Sequence, residues 1–201
     1  YSNNTGAAIC ATHSVSTNGG NTNWTVSAGA TCGVTISGTV YQTSNESTVF
    51  DCNAVNLALR VSVNGAAASS GTCTAVGGTF SVTMTDPGAA NIPVVLYTDS
   101  GSNPSQKATL VTLSSAAGAI SGVTLIIDRV VVSHENAGPM TNSVMSTGDN
   151  GDVGIRSNVA TGNWTVDPGM ERHVLTGKRF TPGGSETPTP RSTAGTPARR
   201  M

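Results

Sequence analysis

The chain reads as an all-β protein, an antiparallel β-sandwich with an N-terminal extension and an extended C-terminal tail. Three observations predict this. Val, Ile and Thr alternate with small polar residues, and Gly, Asn, Asp and Pro break the alternation at intervals of about ten residues. No window carries helical periodicity; the Ala-containing pieces at 66–70 and 114–119 are too short and too rich in Ser and Gly to hold a helix. Finally, 201 residues suffice for one large all-β domain or one domain with extensions.

The predicted strands are 24–26, 33–41, 57–63, 79–85, 92–97, 108–113, 123–133, 153–157, 163–166 and 173–180. They divide the chain into an N-terminal extension (1–32), a sandwich (33–133), a further β-hairpin region (134–180) and a tail (181–201). Residues 123–133 form the most apolar stretch. Val123, Leu125, Ile127 and Val131 share one face; Ile126, Val130 and Val132 share the other. This predicts a single central strand covered on both sides. Asp128 and Arg129 are adjacent, so they point to opposite faces and each needs a partner elsewhere.

Only 10% of the residues are charged, against a usual share of roughly 25%. Ser, Thr, Asn and Gly supply the polarity. A charge-poor surface suits burial between subunits better than solitary life in a cytosol. Aromatics make up 4%, so Val, Leu, Ile and Ala must fill the core. The charge is unevenly placed. Residues 171–201 hold Arg172, Lys178, Arg179, Arg191, Arg199 and Arg200 against Glu171 and Glu186, a net +4, while residues 1–170 carry −5. Nucleic-acid binding is not expected, because the basic residues are few and no aromatic is interleaved with them.

Cys10, Cys32, Cys52 and Cys73 are even in number and lack metal-ligand spacing, so disulfides are expected in an oxidising compartment. Three pairings are possible; Cys10–Cys32 with Cys52–Cys73 is favoured. The first would tie the extension to the first sandwich strand. No stretch approaches the roughly 20 apolar residues of a membrane span. The chain starts at Tyr1 rather than Met, which fits a leader already removed. Four sequons, at Asn3, Asn23, Asn45 and Asn163, permit glycosylation in a secreted protein, although chance accounts for most sequons in so Asn/Thr-rich a chain.

One weak repeat is present. Asn23-Trp24-Thr25-Val26 and Asn163-Trp164-Thr165-Val166 are each followed by Gly three residues on, at Gly29 and Gly169. Trp24 and Trp164 are the only tryptophans. They are expected either to plug their own core or to meet a partner.

Three further segments carry the motifs of a known group. Ser37-Gly38-Thr39-Val40 opens a strand, an apolar strand runs through Val63 into the turn Asn64-Gly65, and Thr74 precedes Gly78 and Phe80. Residues from about 33 to 132 therefore resemble the carboxypeptidase-regulatory-like, or transthyretin-like, Ig-like β-sandwich domains of secreted bacterial or archaeal surface proteins. The resemblance covers half of the chain, and the motifs are degenerate. The insertion at 43–56 and the added Cys73 depart from it. It implies an accessory, adhesive or structural module and no catalytic residues.

No enzyme is expected. His13, His134 and His173 lie in different segments without zinc spacing, and there is no nucleophile elbow. Asp149, Asn150 and Asp152 gather oxygen ligands that could hold calcium, although a hairpin turn explains them more simply. No other cofactor is expected. The tail composition is that of an extended linker or glycosylated stalk; docking on a neighbour would offset the entropy of ordering it.

The functional expectation is a secreted structural subunit that polymerises with copies of itself into an extracellular filament, sheath or cell-surface layer. Trp24, Trp164, Arg191, Arg199 and Arg200 are the expected subunit contacts. The alternative is a carbohydrate-binding or adhesive module that stacks glycans on Trp24, Trp164, Tyr41 or Tyr97.

Overall fold

The computed structural model describes residues 9–11, 24–26, 33–115, 118–133, 140–148, 157–158, 165–166, 169–174 and 180–181. The strands are β1 (Ile9–Ala11), β2 (Trp24–Val26), β3 (Gly33–Tyr41), β4 (Leu57–Val63), β5 (Ser69–Cys73), β6 (Thr79–Thr85), β7 (Pro93–Thr98), β8 (Ala108–Leu113), β9 (Ile120–Ile126) and β10 (Arg129–Val132). After them come β11 (Met140–Thr141), helix α1 (Asn142–Gly148), β12 (Ser157–Asn158), β13 (Thr165–Val166), β14 (Glu171–Val174) and β15 (Phe180–Thr181). Two sheets dominate. One has the order β14-β10-β8-β7-β4-β5, the other β6-β3-β9. No helix among the described residues is long and apolar enough to cross a membrane.

The two sheets pack face to face. Ile36, Val40, Leu57, Leu59, Val61, Phe80, Val82, Met84, Leu96, Leu110, Ile120 and Leu125 fill the space between them. The alternation read from the sequence places these residues inward; β6, for example, buries Phe80, Val82 and Met84 and exposes Thr79, Ser81 and Thr83. A second core lies on the opposite face of the six-stranded sheet. Val95, Tyr97, Val111, Leu113, Val130 and Val132 pack there with Met140, Met145 and Met170. All six residues of β7 and all six of β8 are consequently buried. Unbranched Met side chains suit this cover, because they adapt to the irregular surface of a sheet.

The sheets are mixed, not antiparallel as the sequence predicts. β3 pairs antiparallel with β6, and β4 with β5 and β7, but β3–β9, β8–β10 and β10–β14 are parallel. The cause is local. The expected single strand at 123–133 is two strands, β9 in the small sheet and β10 in the large one. The Ile127 amide donates to Tyr41 O at 2.9 Å, on the small sheet, whereas the next amide, Asp128, donates to Lys107 O beside β8. Asp128 takes φ +58, a left-handed conformation that Asp tolerates better than most residues. Because β8 and β10 are joined through the opposite sheet rather than by a hairpin, they come out parallel. β10 is nevertheless covered on both sides as expected. Val131 enters the first core, and Val130 and Val132 enter the second. Arg129 finds its partner on the neighbouring strand, where it meets Glu171 at 3.1 Å.

Among the elements with no counterpart in the sequence reading are β1, β11, β5 and α1, of which the last two bear on the cores. β5 contains no large apolar residue. It is placed by pairing with β4, and by Gly71, where a Cβ would come within 2.6 Å of Val82. Helix α1 is a single short turn-rich segment. Thr141 Oγ1 caps it by accepting from Val144 N at 3.3 Å, and Met145 anchors it on the sheet. Seven residues would not hold a helix alone.

The left-handed residue makes a stability test. Asp128→Gly is expected to leave stability unchanged or slightly higher. Asp128→Val should lower it by about 1–2 kcal/mol, the cost of a side chain in that conformation. Urea unfolding of the two variants measures the difference.

Candidate assembly surface

The surface with the most distinctive chemistry is the outer side of the three-stranded sheet. Strand pairing sets Thr35 opposite Thr83, Ser37 opposite Ser81, and Thr39 opposite Thr79. Alternation turns all six hydroxyls outward, since Ile36 and Val40 on β3 and Phe80, Val82 and Met84 on β6 point into the core. On the far side of β3, Thr124 lies opposite Thr39 but is buried. No residue of β3, β6 or β9 is charged. The charges of the large sheet, by contrast, include Arg60, Arg129, Glu171 and Arg172.

Gly38 makes this sheet possible. A Cβ there would lie 1.9 Å from Val123 O, so any side chain would push β9 away. That is the physical content of the Ser37-Gly38 pattern. The two edges differ. On β9 the register slips beside Ile36 and Gly38, and Gly122 sits at φ +69, so a bulge twists that edge. β6 pairs with β3 through seven residues in unbroken register. No described strand pairs with its other side, and it contains neither Pro nor a charge.

One end of β3 and β6 is knotted by the insertion at 43–56. Cys52 and Cys73 form a disulfide, and both are fully buried. Cys52 N donates to Ala75 O at 3.2 Å, Phe50 N to Val40 O at 2.8 Å, and Val40 N to Gly78 O at 2.8 Å. Gly78 sits at φ +67 with Val40 O and Phe50 O so close that a Cβ would lie within 2.8 Å of each. The same loops carry Val49, Val55 and Val76, the large apolar residues exposed on the described surface.

A third anchor lies on the large sheet. Arg60 on β4 meets Asp99 at 2.7 Å. Its hydrogen bond is the main reason that the Asp99 carboxyl is held below the usual carboxylate range; partial burial opposes this, and the backbone N–H groups of Gly101 and Ser102 add to the lowering. Asn103 is buried and accepts from Ala58 N at 2.7 Å, so the loop after β7 is pinned to β4.

Most of the residues expected to make contacts are not brought together. Cys52 and Cys73 pair as expected. Cys10 lies in β1 and Trp24 in β2, where Trp24 is the register partner of Ile9. Cys32, Trp164, Arg191, Arg199, Arg200, Asp149, Asn150 and Asp152 lie outside the described residues, as does the tail at 182–201. Among the described residues no three His, Cys, Asp or Glu side chains gather as a metal site would need. Tyr97 is corrected. It is fully buried beneath the second core and offers no face to a sugar. Tyr41 is half-buried and packs in part against the first core. The hydroxyl rows were present in the sequence as Thr-x-Ser-x-Thr at 35–39 and at 79–83, but only the pairing of the strands unites them.

No family model matches this chain, and neither a curated protein nor a solved structure matches it.

Two measurements test these anchors. Replacing both Cys52 and Cys73 by Ala should lower stability by about 3 kcal/mol, the scale for a closed loop of this length. In the native protein the buried bond should resist dithiothreitol until denaturant is added. For Asp99, a depressed carboxyl contributes stability above the unfolded pKa of about 3.9 and loses it as pH falls through the folded value. Wild type should therefore exceed Asp99→Asn in melting temperature at neutral pH, and the gap should close as pH falls below about 4.

Proposed function

We propose that this chain is a structural subunit of an extracellular homopolymer, a filament, sheath or surface layer, assembled by strand addition at β6. The observation that carries the proposal is the edge of β6 that no described strand pairs: seven residues of high β-propensity in regular register, with no charge or proline to block pairing. An extended segment of a second copy would complete that sheet through main-chain hydrogen bonds. The tail, with Arg191, Arg199 and Arg200, has the composition of an extended segment and a sign opposite to that of the rest of the chain. The acidic stretch at 149–152 is its proposed electrostatic partner. The Cys52–Cys73 bond supports an oxidising, extracellular-type setting.

A second reading, binding of a neutral glycan, is favoured by one observation. Tyr41 follows the hydroxyl row of β3 and is half-buried, packed in part against the first core, so only its remaining exposed part could meet a sugar. Loss of glycan binding on Tyr41→Ala in a protein that stays monomeric would favour this reading over assembly.

Electron microscopy of the purified full chain tests the assembly. Regular polymers are expected from wild type. Ser81→Lys with Thr83→Lys should keep the fold, since surface changes usually stay within about 0.5 kcal/mol, and should abolish polymers. Removal of 182–201 should give short or unstable assemblies. Monomers from wild type under all conditions, or normal polymers from the double lysine variant, would overturn edge assembly.

A further inference from the structure

We infer that Asn45 is an acceptor site for an N-linked glycan. The inference does not depend on polymerisation. Of the four sequons, Asn45-Glu46-Ser47 is the one whose surroundings are described in full. Every residue from 42 to 49 is exposed. The loop is closed at its base by Gln42 N donating to Thr48 O at 2.9 Å and by the bridge between Tyr41 and Val49. Within it, Glu46 N donates to Thr43 O at 3.0 Å, which puts Asn45 inside a tight turn at the loop's apex. Glu46 takes φ +57. This turns the chain so that Ser47 folds back on Asn45.

The hydrogen bonds within the sequon engage only one end of the carboxamide. Ser47 Oγ donates to Asn45 Oδ1 at 2.8 Å, and Ser47 N donates to the same oxygen at 3.3 Å. Among the described residues no group accepts from Asn45 Nδ2. The nitrogen that must react is therefore exposed and uncommitted, while the hydroxyl two residues on is already directed at the carboxamide. A bulky solubilising addition here displaces no buried contact. The disulfide supplies the second, independent observation. Oxidising compartments where such bonds form are also where secreted chains meet lipid-linked sugar donors.

The reaction balances without redox change. The donor is an oligosaccharide joined through pyrophosphate to a lipid. A bond forms between Nδ2 and C1 of the first sugar, the C1–O bond to pyrophosphate breaks, and the lipid pyrophosphate leaves with the electron pair. Nδ2 gives up one proton to a base of the transferring enzyme.

The test secretes the full chain from a eukaryotic host and maps its peptides by mass spectrometry, before and after peptide-N-glycosidase in heavy-oxygen water. The peptide containing Asn45 should carry a glycan and return as labelled aspartate. Asn45→Gln and Ser47→Ala should each abolish the modification at this peptide, and Ser47→Thr should keep or raise it. Ser47→Ala preserves the asparagine, so it serves where Asn45→Gln is not secreted. A secreted chain with Cys52–Cys73 formed and the Asn45 peptide unmodified overturns the inference, whether or not another sequon is occupied. Polymer formation is read separately by microscopy, so failure of either idea is distinguishable from failure of the other.

Discussion

Two backbone hydrogen bonds one residue apart divide this molecule between its sheets. Ile127 N reaches Tyr41 on the small sheet, and Asp128 N reaches Lys107 on the large one. The left-handed Asp128 makes the change of direction between them. Once β9 is fixed beside β3, β10 must enter the large sheet between β8 and β14. The large sheet then needs a cover on its far side, because parallel strands joined by crossovers are buried on both faces. Helix α1 and the Met140, Met145 and Met170 side chains supply that cover. Each buried large apolar side chain there contributes about 1.5–3 kcal/mol, so the second core is a main source of stability and not an appendage.

The same arrangement separates chemistry by sheet. The middle strands of the large sheet are closed on both faces, and the sheet is tied by ion pairs, Arg60 with Asp99 and Arg129 with Glu171. The small sheet is closed on one face and presents hydroxyls on the other. Hydroxyls hydrogen-bond to a partner without a large desolvation cost for charge. A face of this kind can be covered and uncovered more cheaply than one bearing ion pairs.

Much of the fold was legible. Strands 33–41, 57–63, 79–85 and 108–113 have the boundaries that alternation predicts. What failed did so for physical reasons. Residues 123–133 are apolar on both faces in either arrangement, so periodicity cannot separate one doubly covered strand from two strands in different sheets. Only the polar pair Asp128-Arg129 marked the break, and Asp does not announce a left-handed residue as Gly does. β5 was invisible because Ser69-Ser70-Gly71-Thr72-Cys73 has no large apolar side chain, and one small Cys makes no pattern. Tyr97 could not be placed in or out, because strand aromatics serve both roles. The hydroxyl rows were readable one strand at a time, but a surface exists only after pairing, and pairing between β3 and β6 is nonlocal.

The edge of β6 remains the feature least explained by the needs of the isolated fold. Natural sheets blunt their free edges with Lys, Pro, bulges or covering loops. β9 uses a bulge at Gly122, and the buried disulfide and the 43–56 insertion stiffen the neighbouring end. Among the described residues β6 carries no Lys, Pro or bulge along its seven residues, and β5 packs beside it without pairing to it. Thr79-Phe80-Ser81-Val82-Thr83-Met84-Thr85 is instead a strand of high β-propensity and no charge, the composition that pairs most readily with another chain. Its inward residues are fixed by the core, so selection for stability accounts for Phe80, Val82 and Met84 but not for the absence of charge at Thr79, Ser81 and Thr83. A lysine at any of these exposed positions would cost the monomer little. Their neutrality, together with the unbroken register of β6, is what the proposed strand addition rests on.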